Sequence, residues 1–273
     1  MRTSPAAGAF LALVAAAPPL AAQQVRVRLG GVQAQYADAV RGAAGTLTTQ
    51  FAWDQPRLRA TLDASYSQFT SGPWALQSSG SLFGIRFVQP NVGLGIRVAG
   101  AGGYLKGGLW SGTGLAGPVA ALVSGDWVYS SGLSAGAVRR IDRSALLTFA
   151  GNVQVRRDLG RWGLEADAAL TRAGPWHYAD ASLGADFRVS AVTLGGVAGA
   201  RSGNLGGRPW YQGRASVALA RSATLEVAGG SYPRDLSGFI GGSFVSLGVW
   251  LRLGRQSRLA ATSEMARRLA SAP

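Results

Sequence analysis

One histidine, thirteen carboxylates and no cysteine restrict the chemistry this chain can perform. A nucleophilic hydrolase needs an imidazole base within reach of a Ser or an Asp. The nearest candidates to His177 are Asp180 and Ser182. In an extended segment, alternation puts both on the opposite face from His177. The simpler reading is a polar residue at a strand end, between Trp176 and Tyr178. One His and no Cys make a transition-metal site unexpected, and neither metal nor cofactor is assigned; carboxylate-only Ca²⁺ binding by loop residues stays open. Gly112, Gly114 and Gly117 spell G-x-G-x-x-G, but with 40 glycines a chance match is expected. Pro118 follows it, and no helical pattern with a later acidic residue completes a dinucleotide-binding unit.

The charged residues in alternating segments say more. Arg59, Thr61, Asp63, Ser65 and Ser67 alternate with Leu58, Ala60, Leu62, Ala64 and Tyr66. Gly163, Glu165, Asp167 and Thr171 oppose Trp162, Leu164, Ala166, Ala168 and Leu170. Asp180, Ser182, Gly184 and Asp186 oppose Ala179, Ala181, Leu183, Ala185 and Phe187. Phe244, Ser246, Gly248, Trp250 and Arg252 oppose Val245, Leu247, Val249, Leu251 and Leu253. Arg86, Arg97, Arg156, Arg214 and Glu226 are assigned to the same polar face. A period of two is the mark of strands.

The elements that carry these residues repeat. Pro-Trp occurs at Trp74, Trp176 and Trp210, so the spacings are 102 and 34 residues. Turn signals recur at Asp54-Gln55-Pro56, Gln89-Pro90-Asn91, Ser124-Gly125-Asp126, Arg157-Asp158-Leu159-Gly160, Arg188-Val189-Ser190 and Arg221-Ser222. A unit of about 34 residues holds two strands of roughly ten or eleven residues and two turns, the strand length that crosses a bilayer when tilted. Six turns at one end separate seven hairpins, predicting fourteen strands, or twelve if the 115–138 region around Pro118 does not pair. The longer connections, near 37–45, 105–113, 139–143, 201–209 and 231–238, are assigned to the other, outward end.

Magnitudes choose between a soluble sandwich and a membrane barrel. A lipid-facing Arg or Lys at mid-bilayer costs about 2–4 kcal/mol in a barrel, and no mid-strand charge here shares an apolar face. A sandwich also alternates, but its polar faces would be richer in Lys, Glu and Thr than these Gly-, Ala- and Ser-rich ones. In lipid an open sheet leaves backbone groups unpaired, so the sheet must close. The expected fold is therefore all-β: a closed antiparallel transmembrane β-barrel over residues 23–253. Residues 1–22, with Arg2, an apolar run and Ala21-Ala22, read as a signal peptide. Residues 254–273 read as a basic tail, disordered or forming a short helix. The net charge of +14 is carried in short runs such as Arg139-Arg140, which argues against nucleic acid and suits phosphate-rich lipopolysaccharide.

On these features the chain resembles the bacterial outer-membrane β-barrel proteins, porins among them. Its last strand is similar to their assembly signal at Ser246, Gly248, Leu251 and Leu253, although Leu253 stands where the family prefers Phe or Trp and twenty residues follow it. The resemblance implies an outer-membrane location, with lipid, lipopolysaccharide and the assembly machinery as partners. It also implies a passive channel for small solutes, lined by Arg59, Asp63, Arg86, Arg97, Arg156, Glu165, Asp167, Asp180, Asp186, Arg214, Glu226 and Arg252. An acidic wall facing a basic one would set a transverse field, and a net positive lining favours anions. Gly93, Gly95, Gly163, Gly184 and Ser65 are expected to leave space in it. The rival expectations are a non-conducting structural or interaction barrel filled by Arg–carboxylate pairs and, less favoured, a lipid-modifying enzyme using His177. Phe51, Trp53, Phe87, Trp127, Trp162 and Phe187 are assigned to an interfacial girdle. Trp74, Trp176 and Trp210 share parity with the polar faces and could line a mouth where a sugar stacks. A bulge at the strand end would swing them to lipid, and the girdle is preferred for them too.

Overall fold

A strand that must be apolar on one face and polar on the other satisfies its backbone only by pairing on both edges. The computed structural model, which describes residues 23–36, 41–55, 58–140, 144–204, 207–232 and 242–253, meets this requirement with fourteen strands. They are β1 (Gln23–Tyr36), β2 (Arg41–Gln55), β3 (Leu58–Phe69), β4 (Trp74–Gln89), β5 (Val92–Leu105), β6 (Leu109–Ser124) and β7 (Trp127–Arg139). These are followed by β8 (Ala145–Leu159), β9 (Trp162–Ala173), β10 (Trp176–Val189), β11 (Val192–Gly203), β12 (Arg208–Ala220), β13 (Ala223–Tyr232) and β14 (Gly242–Leu253). Each pairs antiparallel with its neighbours in sequence, and β1 pairs with β14 to close the barrel. Residues 1–22 and 254–273 lie outside the described residues.

The connections fall into two sets. At one end the turns are residues 90–91, 125–126, 160–161, 190–191 and 221–222, where the sequence places them; the signal at Pro56 lies outside the described residues. Gly125 and Gly160 take φ of 57° and 63°, the left-handed region a tight hairpin turn demands. Ser190 does the same at φ 51° without the glycine advantage. The opposite end carries, among others, turns at 106–108 and 174–175.

Pro118 does not break β6. It opposes Ile96 on β5, while toward β7 the paired positions run from Ala116 opposite Ala135 to Val119 opposite Gly132. A missing N–H is tolerated there because the register resumes on both sides. The Gly112-Gly114-Gly117 pattern lies inside this strand, where Gly117 makes close backbone approach to Leu133 possible.

The outer surface is apolar to a degree water would not tolerate. Leu183 is 70% exposed, Leu133 69% and Leu170 67%, and Ile96, Leu147 and Val245 are similarly open. Aromatic rings flank this zone at both ends. Near the short turns Trp127 stacks with Tyr129 at 6.0 Å and Trp162 meets Phe187 at 4.5 Å. At the other end Trp74 lies 6.3 Å from Tyr66 and 5.4 Å from Tyr104, and the Arg139 guanidinium sits 3.7 Å over Trp110. Such paired belts suit two interfaces.

Candidate functional site

The interior is lined from alternate positions of every strand, and its charge is arranged by sector. On the β8–β12 side Asp186 is the hub. Its Oδ1 accepts from Arg214 at 3.1 Å, and its Oδ2 lies 3.5 Å from Arg188 and 3.9 Å from Arg156. Arg156 also reaches Glu165 and Asp158, each at 3.4 Å. Ser130 Oγ donates to Gln154 at 3.4 Å, and Gln154 donates in turn to Glu165 at 2.9 Å, extending the network to β7. Higher in the barrel, Arg201 grips Asp180 with a forked pair of bonds at 2.7 and 2.5 Å and stacks over Tyr178 at 4.0 Å. Across the β1–β14 seam, Arg28 pairs with Glu226 at 3.6 Å and donates to Ser246 Oγ at 3.1 Å. Glu165, Asp180 and Asp186 thus pair along the wall with arginines of β8, β10, β11 and β12. The opposed acidic and basic walls expected from the sequence are not how these ions are used.

The β4–β7 side differs in kind. Phe83, Ile85, Ala121 and Val128 are buried together on the inner face, with Phe87, Val119 and Val123 packed against them. Arg59 and Arg97 flank Phe83 as its direct cross-strand partners. At the opposite end Val138 and Ala173 form a second buried group with Leu146, Trp176 and Tyr178. Beside this second group lies a chamber of about 460 Å³ lined by Thr48, Asp63, Ser65, Gln77, Ser111 and Thr148 among others. A second, of about 440 Å³, is bounded by Asp167, Asp186, Gln212, Arg214, Trp210 and Phe244 among others.

Most of the predicted charged residues face inward, since Asp63, Arg97, Arg156, Glu165, Asp167, Asp180, Asp186, Arg214, Glu226 and Arg252 each keep inward register partners. Arg59 joins them. Arg86 does not. It opposes Leu94, an exposed outer-face residue, while Ile85 beside it is buried inside. The two faces of β4 are nearly equal in polarity: Ser78, Gly80 and Arg86 on one, Gln77, Ser79 and Ser81 on the other. The tie is broken by β3, whose Thr61 hydroxyl bonds Ser81 at 2.8 Å. The same phase turns Phe87 inward, away from the girdle, and turns Trp74 outward into it. Trp176 and Trp210 behave oppositely to Trp74: Trp176 packs in the inner group and Trp210 lines a chamber. Trp53's side chain lies outside the described residues.

The small inward residues have a use other than space. A Cβ on Gly248 would stand 2.6 Å from Arg28 Nε, and one on Gly199 would stand 2.6 Å from the Trp210 ring. Gly93 would meet Ile85 at 2.5 Å and Gly163 would meet Asp186 at 3.1 Å. Large inner side chains lean over cross-strand glycines, which gives those glycines a packing role instead of leaving a gap. Gly248 and Ser246, read from sequence as parts of an assembly signal, here seat Arg28.

His177 stands on the outer face near the 204–207 connection, where its backbone N–H donates to Asn204 Oδ1 at 2.8 Å. Asp180 and Ser182 point inward, so the geometry separates the three groups a hydrolytic site would need together. Among the described residues no group of three or more His, Cys, Asp or Glu side chains is placed to hold a metal. Sequence reasoning passed over Arg28 and Arg201. Arg28 was legible, since Arg26 and Arg28 alternate with Val25, Val27 and Leu29. Arg201 lies in a strand end beside a connection, where alternation gives little warning.

No protein-family model matches the sequence, and no curated protein does. Solved structures do resemble it. Salmonella typhi OmpF in complex with daunomycin aligns with a TM-score of 0.53 at 9% identity, over 85% of this chain and 97% of that one. A deletion mutant (deltaS2S3) of TodX, described as a monoaromatic hydrocarbon channel, gives 0.53 at 9% identity over 88% and 91%. A second TodX mutant (deltaS2) gives 0.50 at 8% over 86% and 90%. The likeness is one of fold: this chain is a closed antiparallel barrel of porin-like architecture.

Proposed function

We propose that the protein is an outer-membrane channel through which small solutes diffuse passively, with an anion preference set by its arginines. The observation that carries this reading is the contrast between its two surfaces. Outside, leucines are up to 70% exposed between aromatic belts; inside, hydroxyls, amides and ion pairs surround chambers of about 460 and 440 Å³. Short turns at one end suit the periplasmic side of such barrels, and fourteen strands lie between a filled eight-strand barrel and an open sixteen-strand pore. The mechanism needs no energy input: a hydrated ion exchanges some of its water for wall hydroxyls and guanidinium groups and moves down its gradient. Export by residues 1–22, and assembly through Ser246, Gly248, Leu251 and Leu253, belong to the same proposal, as do contacts with lipopolysaccharide.

The test is single-channel conductance of the refolded mature protein in a planar bilayer, after heat-modifiable gel migration has established folding. Stable current steps with anion selectivity are expected. A second reading draws on the inner face itself, where Thr148 and Val138 are 1% exposed and the Ser130–Gln154–Glu165–Arg156 network crosses three strands. An interior filled in this way would make a structural or interaction barrel, and a folded barrel that passes no current would sink the channel in its favour.

A further inference from the structure

The chamber of about 460 Å³ differs from the rest of the interior in what lines it. The chain holds 27 lysines and arginines, yet among the described residues none lines this space, and its one formal charge is Asp63. Two inner rows of the β2–β6 wall supply its polar groups. Thr48, Ser65, Gln77, Gly103 and Ser111 are successive cross-strand partners. One step further from the 106–108 turn, so are Asp63, Ser79, Ala101 and Thr113. Gly103 and Ala101 carry almost no side chain, which keeps the space in front of β5 open. Thr171 and Tyr178 close the chamber from β9 and β10, with the Arg201 guanidinium stacked over the Tyr178 ring at 4.0 Å. Among the described residues, the side chains of Thr48, Ser65, Gln77, Ser79 and Thr113 hydrogen-bond to no other residue. The same wall pairs its hydroxyls elsewhere: in the next row Thr61 and Ser81 bond each other at 2.8 Å. Around the chamber that donating and accepting capacity faces the open space.

We propose that this chamber binds a neutral polyhydroxylated solute of the monosaccharide class. Each sugar hydroxyl both donates and accepts, as do the side chains of Ser, Thr and Gln, so a ring carrying several of them engages both rows at once. Such a ring reproduces the hydrogen bonds of the water it displaces, which a solute with a single polar group does not. Asp63 adds a charge-assisted acceptor for the ring's hydroxyls. An anion would meet that carboxylate with no guanidinium in the lining, and a hard cation would find one carboxylate where it needs several oxygens. The volume lies within the roughly 300–1,000 Å³ usual for small-molecule sites. The proposal rests on the channel reading and deepens it, by naming the solute class that one chamber of the channel takes.

The test is a saturation-transfer NMR titration of glucose against the folded full-length barrel in detergent at low ionic strength. Saturable binding is expected. Glucuronate, the same ring bearing a carboxylate, is expected to bind at least about threefold more weakly, from a like charge about 6 Å from Asp63 in water-like surroundings. Gln77→Leu and Thr113→Val keep side-chain size, and each is expected to weaken glucose about fivefold, the loss of one neutral hydrogen bond. They sit on different strands, β4 and β6, so the test stands if one of them fails to fold. Ser131→Ala, on the outer face of β7, is expected to leave the affinity unchanged. Absence of saturable glucose binding by the folded barrel overturns the proposal. So does glucuronate binding as tightly as glucose, a folded Gln77→Leu or Thr113→Val variant with undiminished affinity, or an equal loss in Ser131→Ala. A barrel that conducts without binding glucose loses the site and keeps the channel; one that binds without conducting does the reverse.

Discussion

Replacing Asp186 by Asn removes one negative charge from a carboxylate that serves Arg156, Arg188 and Arg214 at 3.9, 3.5 and 3.1 Å, while keeping its size. An ion passing about 6 Å away in water-like surroundings feels that charge by roughly 0.7 kcal/mol before screening. At 0.1 M salt, with a Debye length of about 10 Å, roughly 0.4 kcal/mol remains, about a twofold gain for anions and a twofold loss for cations. The permeability ratio therefore moves about fourfold toward anions, and at 1 M salt, where the Debye length is about 3 Å, the change nearly vanishes. The assay is the reversal potential across a bilayer bathed in asymmetric KCl, measured at both ionic strengths. Two outcomes would refute the reasoning. An unmoved reversal potential at 0.1 M means that the hub does not face the ion path. An equally large shift at 1 M means that Asn has rearranged the wall, not its field.

Charge reversal separates the two faces of neighbouring strands: Arg97→Glu shifts reversal potential toward cations, whereas Arg86→Glu on the outer face does not. Leu183→Arg, placed in lipid at a position 70% exposed, costs about 2–4 kcal/mol in a reversible denaturant titration in lipid vesicles. Its inner neighbour Ser182→Arg is expected to cost much less. Gly248→Val collides with Arg28 and lowers the folded fraction on heat-modifiable gels, whereas Gly114→Val, whose Cβ meets nothing within 4 Å, does not. His177→Ala leaves folding and conductance unchanged in the same gel and bilayer assays.

The strands that read clearly from sequence are those whose two faces differ. In β9, β10 and β14 the inner set of charged, Gly and Ser residues and the outer set of Leu, Val and Ala fix the phase locally. In β4 they do not: Ser78, Gly80 and Arg86 weigh about as much as Gln77, Ser79 and Ser81, and the decision belongs to β3. That single phase error misplaced Arg86 and Phe87 together, and it gave Trp74 an inward parity although the girdle preferred for that residue is where it stands. The Pro-Trp repeat misled in another way, because a shared sequence mark suggested a shared direction. Trp176 and Trp210 turn inward while Trp74 turns out. The use of the glycines was invisible for a deeper reason. Whether Gly248 or Gly199 leaves a hole or seats a side chain depends on which residue lies across the ladder, here Arg28 and Trp210. Cross-strand register is set by all fourteen strands at once, so the ion pairs were also out of reach: alternation could place Asp186 inside, but not beside three arginines.

The seam between β1 and β14 carries the same antiparallel ladder as every other junction, from Val25 opposite Leu253 to Tyr36 opposite Gly242. Both ends of the sheet therefore emerge side by side at the short-turn mouth. Topologically the sheet is a ring with one nick, between β1 and β14. A covalent link from residue 253 to residue 23, with a new opening at the 125–126 turn, would leave every strand with the two neighbours it has now. It would, however, reverse which hairpins are made first and which must wait for the ring to shut. Folding of that permutant to the same barrel would separate assembly order from final architecture.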